Sequence, residues 1–76
     1  MTYSAYILGV SQMGKERDVL KKCLEIKDVT EGTIVFGEYD LIVKIMTEDV
    51  KELRKRVEEI RNIEGLLKTI TLISTP

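Results

Sequence analysis

The sequence contains no histidine and no tryptophan, one cysteine, one proline, and only three tyrosines and one phenylalanine. Without histidine the chain lacks the commonest general base and the commonest metal ligand. A lone Cys23 excludes an internal disulfide and any paired-cysteine metal or redox site. The few aromatics, Tyr3, Tyr6, Phe36 and Tyr39, are a poor supply for a sheet that stacks RNA bases. No charge of one sign dominates: 12 basic and 13 acidic residues give a net charge of −1. A protein that grips phosphates needs a basic excess, because each neutralised phosphate takes a lysine or arginine. Direct nucleic-acid binding is therefore not expected. No run approaches the roughly 18 apolar residues needed to span a bilayer, and no basic-then-apolar leader is visible. The expectation is a cytoplasmic protein that does not touch the membrane, with no cofactor and no metal site.

What is present is a globular balance, 43% hydrophobic and 33% charged over 76 residues. That length is one domain, here taken as residues 1–76 with no separate DNA-binding domain. A domain of this size buries only about 60% of its unfolded surface. Small domains often compensate by oligomerising.

Tyr3 to Val10 is rich in β-formers and carries no helical stripe, so it reads as a strand. Ser11 to Gly14 reads as a loop. Lys15 to Ile26 places Val19, Leu20, Cys23 and Leu24 on one helical face. Val29 to Phe36 and Leu41 to Met46 read as strands joined by the short connection Gly37-Glu38-Tyr39-Asp40, which is a hairpin pattern. Thr47-Glu48-Asp49 can cap a second helix. Val50, Leu53, Val57 and Ile60 form its apolar stripe, and Glu52 and Arg56 stand in the favourable i, i+4 order. Gly65 supplies a turn. Leu66 to Ser74 is the last strand, and Pro76 ends the chain. The order strand, helix, strand, strand, helix, strand implies an α+β, ferredoxin-like βαββαβ fold. Its four-stranded antiparallel sheet carries both helices on one face.

Neither face of the strands is cleanly polar. Leu41, Val43 and Ile45 oppose Ile42, Lys44 and Met46. Leu66, Lys68, Ile70 and Leu72 oppose Leu67, Thr69, Thr71 and Ile73. Tyr3, Ala5 and Ile7 oppose Tyr6, Leu8 and Val10. Two helices cover one face only, and monomers rarely expose a large apolar patch. The open face is therefore expected to be buried in a homodimer.

The stretches AYILGV, GKERDVL, GTIVFGEYDLIVKI, DVKELRKRVEEI and IEGLLKTITLI, in this order and spacing, resemble the RAM domain. This is the effector-binding half of the Lrp/AsnC (leucine-responsive, feast-or-famine) transcription regulators. The block Gly37 to Leu41, and Gly65 followed by Thr69-Ile70-Thr71, carry most of the likeness. The resemblance implies the same fold, dimers joined sheet to sheet, and further assembly into octamer-like rings of four dimers. It also implies amino-acid effectors bound where dimers meet. Relatives usually begin with a helix-turn-helix domain, so this chain resembles the stand-alone effector modules, which act with a DNA-binding Lrp/AsnC relative. Phe36 stands where many relatives have a small hydroxyl residue, and Met13 where proline is common. The first departure bears on effector identity.

On that resemblance the effector-site candidates are Gly37, Tyr39, Asp40, Thr69 and Thr71. Gly37 could allow close backbone approach, or merely supply a positive φ. Asp40 could hold an α-ammonium group, or merely tie down the turn. Thr69 and Thr71 share one face and could hydrogen-bond an effector carboxylate, or reflect ordinary β-propensity. Gln12 and Met13 are weaker candidates for contact with a neighbouring dimer. Cys23 reads as a small core residue, and Tyr3 and Tyr6 as packing residues. Asp49, Glu52, Glu58 and Glu59 lie on a solvated helix and suggest no acid/base pair. The main reading is therefore a non-catalytic, oligomeric effector-binding module. The alternatives are an ACT-like regulatory subunit of a metabolic enzyme, a pure assembly module without ligand, and a small ferredoxin-like enzyme.

Overall fold

The computed structural model describes residues 1–75; Pro76 lies outside the described residues. The element order is β1 (Tyr3–Ser11), α1 (Glu16–Leu24), β2 (Val29–Ile34), β3 (Leu41–Thr47), α2 (Val50–Arg61) and β4 (Leu66–Ser74). The strands form one antiparallel sheet in the order β2-β3-β1-β4. This is the expected ferredoxin-like arrangement, with differences at the element ends.

β1 runs one residue further than its sequence suggests, because Ser11 still pairs with Leu66 of β4, and its buried amide is held by the Asp40 carboxylate. β2 stops at Ile34 rather than Phe36. Val35 N–H still donates to the Asp40 carbonyl at 2.9 Å, in register with the Ile34–Leu41 pair, but the Asp40 amide turns to the Gly9 carbonyl of β1, so the ladder with β2 is not continued. Gly37 follows at φ +137°, a conformation that L side chains rarely adopt. α1 is shorter than the expected Lys15 to Ile26, since Lys15 and Glu25 are its flanking caps. α2 begins behind Asp49, whose Oδ1 accepts from the Lys51 amide at 2.8 Å and so satisfies one free donor of the first turn.

Residues paired directly across strands share a sheet face. Ala5, Ile7, Leu41, Val43 and Ile45 are buried beneath the helices with Val19 and Cys23 of α1 and Leu53 and Ile60 of α2. Burying one such isoleucine or leucine contributes about 1.5–3 kcal/mol. An exposed ion pair such as Arg61–Glu58 contributes about 0–1 kcal/mol. The core therefore holds the two layers together.

β4 departs from strict alternation. Val10 pairs with Lys68 but Ser11 pairs with Leu66, so Leu67 is an extra residue in a β-bulge. Leu66 consequently packs against the core, although plain alternation puts it with Lys68, Ile70 and Leu72. Gly9 makes room for it: a Cβ there would meet Leu66 Cδ1 at 2.8 Å and Leu41 Cδ1 at 3.2 Å.

The other sheet face has no helix on it. The register puts Tyr6, Leu8, Val10, Ile42, Met46, Ile70 and Leu72 there, with Lys44, Lys68, Glu31 and Thr33 among and around them. Lys44 Nζ lies 5.5 Å from the centroid of the Tyr6 ring, a cation–π distance that covers part of this surface. No helix among the described residues is long and apolar enough to cross a membrane.

Candidate functional site

The end of the sheet where β1 and β2 finish and β3 and β4 begin gathers most of the residues singled out from sequence. Asp40 is its fixed point. Its N–H donates to the Gly9 carbonyl at 2.8 Å, and its carbonyl accepts from Val35. Its carboxylate Oδ2 accepts from the Ser11 amide at 2.9 Å. So Asp40 does tie down the turn. No such bond holds its other carboxylate oxygen, Oδ1, among the described residues.

Gly37 and Tyr39 lie in the same connection, Gly37 exposed and Tyr39 half-buried. A Cβ at Gly37 would meet nothing within 4 Å. Its requirement for glycine comes from its φ, and the space beside it is open. Phe36, next to it, is 100% exposed, and Met13 in the β1–α1 loop is 93% exposed.

Thr69 and Thr71 are half-buried on the helix-facing side of β4, opposite Gly9 and Ile7. Gly9 pairs with Leu41 on its other side, so Thr69 and Leu41 stand on one transverse row with β1 between them. Two strand spacings are roughly 10 Å. The structure thus brings Gly37, Tyr39 and Asp40 together and leaves Thr69 and Thr71 of the same chain two strands away.

Between the start of α1 and the end of β2 lies a groove of about 300 Å³, lined by Glu16, Arg17, Ile34, Val35, Phe36 and Asp40. Sequence reasoning did not single out Glu16, Arg17, Ile34 or Val35, because only α1's apolar face was used to place that helix and the two aliphatics read as ordinary strand residues. The departure at Phe36 was the available signal. A second, smaller depression of about 140 Å³ lies between α1 and the Gly65 turn, where Gln12 N–H donates to the Gly65 carbonyl at 2.7 Å.

Two perturbed groups lie away from this end. Burial pushes the Cys23 thiol up to about 11 from 9.0, which suits a core residue and not a nucleophile. Arg56, expected on a solvated helix face beside Glu52, is buried. Its Nε donates to Asp28 Oδ2 at 3.1 Å, its Nη1 to Glu59 at 3.1 Å and its Nη2 to Glu52 at 2.7 Å. The Asp28 hydrogen bond, followed by the charges of Glu59, Glu52 and Asp28, holds the guanidinium protonated above its usual range despite desolvation. With every arm occupied, this is a clamp between α2 and the α1–β2 connection.

A family model described as the Lrp/AsnC ligand binding domain matches residues 8–75. The chain is 33% identical over 69 residues to the HTH-type transcriptional regulator FL11 of Pyrococcus furiosus, covering 91% of this chain and 46% of that protein. It thus spans about half the length of that relative. Over 53 residues it is 34% identical to the homocitrate synthase of Sulfolobus acidocaldarius, covering 70% of this chain and 11% of the enzyme. The crystal structure of a hypothetical protein from Pyrococcus horikoshii is similar with a TM-score of 0.90 at 41% identity, covering 97% of this chain and 90% of that one. A transcriptional regulator from Neisseria meningitidis, solved as a complex with L-Met, shares the fold alone, with a TM-score of 0.80 at 13% identity over 97% of this chain and 50% of that one. With the model matched over nearly its whole length, the chain belongs to the Lrp/AsnC family and carries that family's ligand-binding domain.

Proposed function

We propose that the chain is a non-catalytic effector-sensing module. In this reading two copies pair through their open sheet faces, and the pairs assemble further, as an octamer-like ring. An amino acid or related small metabolite binds where pairs meet, and the assembly acts in the cytoplasm on a DNA-binding relative. The observation that carries this reading is the open face, where seven apolar side chains from β1, β3 and β4 have no helix over them. A surface of that kind is the usual sign of a protein contact. Self-pairing is the commonest form such contacts take.

The placement of Thr69 and Thr71 on β4, with β1 between them and β3, supports placing the effector between copies. A neighbouring copy can bring its own threonines to the first copy's Gly37, Tyr39 and Asp40. The mechanism is then linkage: a ligand that fits only the assembled contact favours that assembly by its difference in affinity for the two states.

The homocitrate synthase likeness favours a second reading, in which the module serves a biosynthetic enzyme as its regulatory part. Thermal unfolding against each of the twenty amino acids tests the effector claim. At one hundred times its Kd a ligand stabilises by about 2.7 kcal/mol, which is a readable shift. A shift with one or two amino acids supports sensing, and none with any amino acid rejects it. Copurification then separates the two readings: a transcription regulator favours the first, an enzyme of amino-acid synthesis the second.

A further inference from the structure

Resting on the pairing of copies through their open sheet faces, we infer that two charges at opposite corners of that face select the partner: Glu31 of each copy pairs with the partner's Lys68. The occupant of the face is then a second copy of this chain, held in one orientation.

The register fixes where the two charges stand. Glu31 is on edge strand β2, in the row Glu31–Lys44–Tyr6–Leu72. Lys68 is on the other edge strand, β4, opposite Val10. They are three strand spacings apart across the sheet, roughly 14 Å, and four residues apart along it, roughly 13 Å. Both are exposed, and neither makes an ion pair among the described residues. The cross-strand neighbour of Glu31 is Lys44, whose Nζ lies over the Tyr6 ring instead.

A two-fold axis between two such faces can lie in any direction within their plane, and the charges separate the choices. With the axis along the strands, Glu31 stands over the partner's Leu72. With the axis across the strands, Lys68 does. Each leaves a charge covered by an apolar side chain and unpaired, which is costly. With the axis on the diagonal, Glu31 and Lys68 exchange places, and two opposite-charge pairs form, one at each of two corners. The two offsets are nearly equal, so this axis stands at about 45° to the strands, and the two sheets cross near a right angle, one of the two ways in which sheets pack. Leu72, 53% exposed, sits on that axis and meets its own counterpart. The apolar side chains of Leu8, Ile42 and Ile70 fill the middle. An acid and a base that a two-fold axis exchanges are the self-complementarity that an isologous contact requires. Being at the rim, the pairs act on choice of partner and orientation more than on raw affinity.

The test compares the full chain with its Glu31→Lys and Lys68→Glu variants and with the double variant. Either single variant sets like charges against each other at both corners of its own pair, whereas a mixture of the two restores opposite charges at both. In sedimentation equilibrium each single variant should pair about tenfold more weakly than the wild type, and the double variant should return to the wild-type value. Native mass spectrometry of one isotope-labelled single variant mixed with the other should show mixed pairs above the statistical share, a preference that fades in about 1 M salt. If the single variants pair as tightly as the wild type, or if the mixture is statistical and the double variant stays weak, the charge assignment is overturned while the pairing of copies stands. If the wild type itself does not pair, the pairing reading falls and takes the assignment with it.

Discussion

Arg56 reaches across 28 positions of sequence to Asp28, the single described residue other than glycine with a positive φ, at +71°. Asp28 also accepts the Met46 amide at its own carbonyl, at 3.0 Å. One residue therefore ties the exit of α1 to both α2 and the end of β3. The two roles of Asp28 separate by substitution. Asp28→Ala loses the carboxylate and keeps an unfavourable backbone, whereas Asp28→Gly loses the carboxylate but relieves the backbone. Denaturant unfolding should place Asp28→Gly above Asp28→Ala by about 1 kcal/mol. Arg56→Lys should be less stable than wild type, because one ammonium cannot serve three carboxylates set around a fork.

Cys23 gives the protein an alkaline weakness of defined position. The unfolded thiol titrates near 9.0 and the buried one near 11, so between these values the folded state keeps a proton that the unfolded state gives up. The contribution is complete below pH 9 and is lost as pH rises through about 11, with an upper value of about 2.7 kcal/mol for two pKa units. Cys23→Ala costs packing at every pH. The measurement that matters is the slope of stability between pH 9 and 11, which should be shallower in the variant. An equal slope would assign the alkaline loss to other groups.

Asp40 has a structural duty that any ligand assay must be protected from. Asp40→Ala leaves the buried Ser11 amide without its acceptor and should cost about 1–3 kcal/mol. Asp40→Asn keeps a carbonyl oxygen for that amide and should lose less than half as much. Comparing the two by unfolding, and then titrating ligand only into the asparagine variant, isolates the charge from the fold.

Ile70 sits opposite Leu8 in the middle of the uncovered face. If two copies pair through this face as proposed, Ile70→Glu should give a monomer in sedimentation equilibrium where the wild type gives a dimer, without altering the circular dichroism, since Ile70 lies outside the buried core. A variant that still pairs would move the contact to another surface.

The sequence displayed the element order because the two helices carry clear apolar stripes, the four strands are short runs of β-formers, and glycines with positive φ stand at positions 14, 37 and 65 between elements. Less visible were features set by residues distant in sequence. Val35 and Phe36 are good strand formers, yet the Asp40 amide donates to Gly9 of β1 and not to Val35, and the pairing of β2 ends there. Arg56 reads as the surface partner of Glu52, and nothing local says that Asp28 will cover it. LLKTITLIS alternates without a visible break, so its bulge appears only through the pairing of Ser11 with Leu66. The candidate site was legible in the same uneven way. Gly37, Tyr39 and Asp40 adjoin in sequence and in space, whereas the separation of Thr69 and Thr71 from them follows from strand order, which no spacing encodes.

The extra residue in β4 gives the strand an unequal tolerance to changes in chain length. Loss of Leu67 would place Leu66 next to Lys68, opposite Ser11 and Val10 in unbroken succession, with each side chain still on its present side. Loss of Thr69 or Ile70 would instead turn the rest of the strand over, sending Thr71 outward and Leu72 under the helices. A lineage carrying this domain can thus shorten β4 at one place without inverting it, and that place lies beside the turn rather than within the paired surface.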